Sequence, residues 1–187
     1  HAWGGQPLPQ NASCWLYDTE VDAGVGTLYV RLRGAAAAVE AACKTMGGTR
    51  LDNASTAPHA LDWAACRDHT LPWFAARAQQ PGLALWRLSL PATAPVLTLP
   101  AAAQPLVEWH GALRWVQAPA SAGEALQAAA QAVGGSATVF VAAGAHPSSA
   151  SGLFCSKSAA LAQIHARLKQ AFDPAGIFNP GRLAAEW

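Results

Sequence analysis

The stretch Leu113–Val141, LRWVQAPASAGEALQAAAQAVGGSATVFV, decides the fold. Its opening, Leu113-Arg114-Trp115-Val116-Gln117, reads as a strand. Leu126, Ala130 and Val133 then recur at helical spacing and mark one apolar helix face. Gly134-Gly135 follows as the helix stop, where a left-handed residue is commonly needed. Ala137-Thr138-Val139-Phe140-Val141 is rich in the β-branched and aromatic residues of a second strand. The order is strand, helix, Gly-Gly, strand.

The same order is present nearer the N-terminus. Leu28, Val30 and Leu32 alternate with Tyr29, Arg31 and Arg33, the period of a half-buried strand. An Ala-rich helix with Val39, Cys43 and Met46 on one face follows, then Gly47-Gly48 and the short strand Thr49-Arg50-Leu51. Between the two units lie a helix around Trp63 to Ala76, a strand Leu85 to Leu90, and a hairpin Leu106-Val107-Glu108-Trp109 that turns at His110-Gly111. Pro91, Pro95, Pro100 and Pro105 make the segment before the hairpin irregular or an edge. Residues 142–158, rich in Gly, Ser and Ala, read as a loop. The expected fold class is therefore α+β: a duplicated split β-α-β, ferredoxin-like sandwich with a mainly antiparallel sheet. Trp15, Trp86, Trp109 and Trp115 fall in its strands and are expected to fill the core.

A C-terminal helix from about Ser158 to Phe172 carries Leu161, Ile164, Leu168 and Phe172 on one face. Lys157, His165, Arg167 and Lys169 sit around it with no acidic residue to offset them, a pattern of either a solvated face or a face for an acidic partner. Pro174 stops the helix, and Pro180-Gly181 suits the two central positions of a type II turn. An ordered tail with two bends is expected where most chains fray.

Half of the 187 residues are apolar, 52%, so the chain can bury a core. Twelve Lys+Arg against 11 Asp+Glu leave no basic footprint for nucleic acid. No apolar run is long enough to span a bilayer, and no secretory signal is present. Cys14, Cys43, Cys66 and Cys155 are widely spaced and form no zinc motif. Cys43, on the helical stripe, reads as a small core residue, and a reducing compartment is the default.

Chemistry-bearing motifs are few. The Gly pairs follow helices rather than precede them, the wrong order for a phosphate-cradling loop. There is no G-x-S-x-G elbow and no H-E-x-x-H. The six histidines are scattered and imply no metal site. Asp62, Asp68, Glu20 and Asp22 read as solvated carboxylates.

Several strings together resemble a known group: Trp3-Gly4-Gly5-Gln6-Pro7-Leu8-Pro9, Leu51-Asp52-Asn53-Ala54, Leu71-Pro72-Trp73-Phe74, Leu85-Trp86-Arg87-Leu88-Ser89, Glu108-Trp109-His110-Gly111-Ala112-Leu113-Arg114-Trp115, and the tail from Phe172 to Leu183. In this order they are similar to the FAD-binding subunit of bacterial glycolate oxidase. The tail alone resembles those of FAD-linked oxidases of the vanillyl-alcohol-oxidase type. The resemblance implies that residues 1–187 are one cap domain, with internal units of about 12–100 and 101–156 and a C-terminal helix and tail at 157–187. An FAD-binding domain would lie upstream of His1, in line with the missing initiator Met. It implies FAD as cofactor in the full-length protein, bound poorly by this piece, with Asn179 and Arg182 as the cofactor-binding positions. Its implied partners are its own N-terminal FAD domain, a sister catalytic flavoprotein subunit and an iron–sulfur subunit, in a complex oxidising glycolate to glyoxylate. The implied location is cytoplasmic, or peripheral on the inner membrane face. The His-Gly-Asp-Gly-Asn-x-His string of related hydroxy-acid dehydrogenases occurs nowhere, so catalytic residues stay unassigned and the implied role is structural or cofactor-covering. The rival expectation is a free-standing ferredoxin-like module for protein contact or small-ligand binding.

Overall fold

The computed structural model describes residues 2–17, 26–51, 62–99, 104–144 and 159–181. Six strands form one sheet: β1 Gln10–Tyr17, β2 Gly26–Leu32, β3 Leu83–Ser89, β4 Leu106–Glu108, β5 Leu113–Pro119 and β6 Ser136–Val141. Their order is β2-β1-β4-β5-β3-β6, and every neighbouring pair is antiparallel. In each half a central strand, β1 or β3, separates two mutually parallel ones. That is the duplicated split β-α-β arrangement of an α+β, ferredoxin-like fold.

The second unit matches its sequence reading closely. Helix α4, Gly123–Ala132, connects β5 to β6 and ends at Gly134, whose φ of 77° supplies the left-handed stop. The first unit departs from expectation. Helix α1, Ala36–Met46, ends at Gly47 and Gly48 with φ of 66° and 80°, but Thr49–Leu51 forms no strand. Arg50 instead pairs with Glu40 on the helix just left, turning the chain back on α1. The place of the missing strand in the first half is taken by β4.

The helix expected over Trp63 to Ala76 is broken. Asp62 caps α2, Trp63–Arg67, accepting from the Ala64 and Ala65 N–H groups at 2.8 and 3.0 Å. His69 turns left-handed at φ 57°, and α3, Pro72–Ala75, starts afresh. Pro72 is the reason: it lacks an N–H and is tolerated only in a helix's first turn. A 3-10 turn, Ala76–Gln79, leads into β3.

Both faces of the central strands are buried, which accounts for the near-continuous apolar run of β3. Beneath α2 and α3 pack Cys14, Leu16, Phe74, Leu85, Leu106 and Trp115. Beneath α4 pack Trp86, Leu88, Val116, Leu126 and Ala130. Trp86 is 1% exposed and its indole N–H donates to the Ala118 carbonyl at 3.2 Å. Trp15 is only half-buried, lying against Gly26, where an added Cβ would fall 2.1 Å from its ring. Trp109 corrects the core expectation outright: it sits in a turn and is 61% exposed.

The described part of the proline segment, 91–99 and 104–105, is irregular, and Arg114 holds it. Its guanidinium donates to the carbonyls of Gly111, Pro95 and Ala94 at 3.3, 2.8 and 2.9 Å. Burial pushes its pKa down. Cys14, Cys43 and Cys66 are free thiols; Cys43 is half-buried on α1. Residues 145–158 of the expected loop lie outside the described residues.

Gly135 sits where a Cβ would fall 2.5 Å from both the Ser89 carbonyl oxygen and Leu90 Cδ2. Backbone cannot yield there as a flexible side chain can. Gly135→Ala is therefore expected to destabilise the fold by about 2 kcal/mol, read as a lowered urea midpoint with unchanged m-value. An unchanged midpoint would contradict the packing.

Candidate functional site: the C-terminal tail and the cleft beneath α2

Helix α5 spans Ala159–Phe172 and passes directly into the tail. Its ordering rests on Asp173, 7% exposed, whose carboxylate turns inward. One oxygen accepts from the Ile177 N–H at 3.0 Å and the other from the Phe178 N–H at 2.9 Å. Lys169, one turn earlier, donates to the same carboxylate and to the Phe178 carbonyl. Gly176, at φ 64°, makes the tight reversal that brings residues 177 and 178 back over the carboxylate. Sequence reading found the two proline bends but not this clasp, whose only signal is a Lys–Asp pair at i,i+4 before Pro174.

With the charges turned in, apolar groups face out. Phe172 is 83% exposed, and Ile177, Phe178, Leu161, Ile164 and Leu168 are exposed as well. No residue of α5 is buried, so the apolar row expected on one face is presented rather than packed. Asn179 stands next in line, exposed, with a left-handed φ of 48°. Gly181 has φ 67°, as the third position of a type II turn demands. Arg182 lies outside the described residues.

A separate cleft opens on the sheet face beneath α2. At its centre Glu108 accepts from the Cys66 thiol at 3.0 Å and from the Trp115 indole N–H at 2.6 Å, one on each oxygen. The Cys66 pKa is pushed far up, first by its hydrogen bond with Cys14, then by burial and by Glu108. A thiol held protonated is neither a nucleophile nor a metal ligand. His69 packs tilted against Phe74 and edge-on against Trp115 and Phe140, at centroid distances of 4.8, 4.7 and 5.3 Å. Among the described residues no cluster of His, Cys, Asp or Glu could hold a metal, and no helix is long and apolar enough to cross a membrane.

An FAD pyrophosphate needs a run of converging N–H groups, usually at a helix N-terminus after glycines. The described glycine pairs instead end α1 and α4. The described residues therefore do not fit the pyrophosphate. Asn179 presents an exposed amide, with two N–H donors on one side and an acceptor oxygen on the other.

The Lys169 hydrogen bond holds the Asp173 carboxyl below its ordinary range, against the opposing effect of burial, helped by the Phe178 and Ile177 N–H groups. A depressed folded pKa stabilises the tail at neutral pH and loses that contribution as pH falls through it. Amide exchange at Ile177 and Phe178 should thus be protected at neutral pH and lose protection below about pH 4. Asp173→Ala should abolish it at every pH. Protection that persists in the variant would show that the clasp does not order the tail.

Residues 151–183 match the family described as FAD linked oxidases, C-terminal domain. Over 184 residues, 98% of its length, the chain is 36% identical to the glycolate oxidase subunit GlcE of Escherichia coli (strain K12). It spans 44% of that subunit's length. No solved structure gives a significant match. Over residues 151–183 the chain is similar to the C-terminal domains of FAD linked oxidases, and along nearly its whole length it is similar to part of a glycolate oxidase subunit.

Proposed function

We propose that this chain is the cap domain of a subunit of a flavin-dependent glycolate oxidase complex that converts glycolate to glyoxylate. The observation that carries the reading is the 36% identity to GlcE across 98% of the chain. In this reading residues 1–187 form one domain with units of about 12–100 and 101–156 and a tail at 157–187, and the FAD-binding domain lies upstream. Bound FAD would supply the hydride acceptor for the oxidation.

The chain's own residues cover and position. The Asp173–Lys169 clasp holds the tail in one shape. Phe172, Ile177 and Phe178, exposed here, would press against the flavin domain and exclude water from its edge. Asn179 and Arg182 would reach the cofactor. Reoxidation would pass to a sister flavoprotein subunit and an iron–sulfur subunit, in a cytoplasmic or inner-membrane-peripheral assembly. Within the cleft neither Cys66, held as a protonated thiol, nor Glu108, with a donor on each oxygen, is given an acid–base or nucleophilic role.

The isolated chain should purify colourless. In the full-length protein, Asn179→Ala or Arg182→Ala should weaken FAD binding about tenfold, the effect of one lost hydrogen bond to a charged or polar ligand group. Stoichiometric yellow flavin on the isolated chain would overturn the cap reading. Unchanged FAD affinity in both variants would remove those two residues from the site.

A further inference from the structure

Two free thiols, Cys14 and Cys66, stand 0% and 3% exposed in the core beneath α2. Cys14 lies within β1, and its partner across the ladder is Glu108 of β4. Directly opposite residues of antiparallel strands project to the same face, with Cβ atoms about 5 Å apart. Cys66 comes down onto both from α2. Its thiol donates to the Glu108 carboxylate at 3.0 Å and shares a side-chain hydrogen bond with Cys14. A helix and a strand distant in sequence thus meet through their two sulfurs.

The approach needed to bond the sulfurs falls on α2, a helix of five residues, and leaves the sheet in place. Access is one-sided. Cys66 lines the cleft beneath α2 and Cys14 does not, so an oxidant entering the cleft meets Cys66 first. Cys14 stands behind it as a second thiol. The obstacle is the Cys66 proton, held on by the Cys14 hydrogen bond, by burial and by the Glu108 carboxylate. The thiolate is the attacking form, so the pair stays reduced until an oxidant is supplied.

We propose that Cys14 and Cys66 are a peroxide-responsive pair that closes to a disulfide and locks α2 onto β1. The Cys66 sulfur, once its proton has left, attacks hydrogen peroxide. The O–O bond breaks, giving Cys66 sulfenic acid and hydroxide, which takes up the released proton as water. The Cys14 sulfur then attacks Cys66. The S–S bond forms, the S–O bond breaks, and the hydroxide leaves with the Cys14 proton as a second water. Two thiols lose two electrons and the peroxide gains them. The new bond closes a loop that contains β2 and α1, and Glu108 loses its thiol donor. No flavin takes part, so the pair and the cap reading stand or fall separately.

The test treats the full-length protein with excess hydrogen peroxide, quenches in acid, alkylates in denaturant and maps the unreduced peptides by mass spectrometry. A Cys14–Cys66 linked peptide, short by two hydrogens, is the expected product, and dithiothreitol should restore both thiols. The oxidised protein should unfold at a higher urea midpoint than the reduced one. Cys14→Ser should lose both the linked peptide and that shift. Glu108→Gln removes the neighbouring charge and should form the link about tenfold faster. Unchanged thiols, a sulfinic or sulfonic acid on Cys66 beside an unmodified Cys14, or a link from Cys66 to Cys43 or Cys155 would overturn the proposal. An unchanged rate in a folded Glu108→Gln would overturn the part given to Glu108. Should either variant fail to fold, the peptide map of the unaltered protein decides.

Discussion

The strand ladder that joins β1 to β5 in the described sheet passes through three residues, Leu106, Val107 and Glu108. Strand β4 alone lies between β1 and β5, so without it the sheet would part into a two-stranded and a three-stranded piece. A strand this short gains little from its ladder, and its position is fixed by side chains. Leu106 is fully buried between the halves. Glu108 ties β4 to β5 through the Trp115 indole and to α2 through the Cys66 thiol. A partly buried carboxylate with both oxygens engaged replaces the hydration it lost, and that exchange keeps it in place. The cleft beneath α2 and the Trp109–Gly111 turn both take their position from this junction.

Much of this fold can be read from the sequence because its punctuation is local. Gly47-Gly48 and Gly134 stop helices through backbone conformations that other residues adopt at a cost. The alternation of β2 marks a strand in the same local way but not its inner face, since Tyr29 is buried and Leu28 is 47% exposed. Thr49–Leu51 looks like a strand because it repeats the second unit's order. Its failure to become one was settled by Leu106–Glu108, far away in sequence, pairing with Cys14 and Trp15. No window of residues around position 50 carries that information. Trp109 misleads for a similar reason, since its apolar surface predicts burial while the turn that exposes it is fixed by a hydrogen bond to Ser13.

The functional surfaces divide along the same line. The tail is contiguous, so its bends are legible in Pro174, Gly176 and Pro180-Gly181. The inward turn of Asp173 is less so, because an Asp after a helix is ordinarily solvated. The cleft joins residues from all six strands and α2, segments with no shared motif. Cys14 and Cys66 read along the chain as widely spaced thiols. Only the pairing of Cys14 with Glu108 across the ladder brings them together.

The clasp has a consequence for how this piece meets anything else. A disordered tail would surrender conformational freedom at the moment of contact and so lower the net affinity of the encounter. Here the loss has already occurred, inside the chain, when Ile177 and Phe178 closed on Asp173. The phenyl rings and the isoleucine then approach a surface in the geometry they keep afterwards. Recognition becomes a matter of rigid shape, in which speed of capture is set by collision and orientation rather than by folding on the partner.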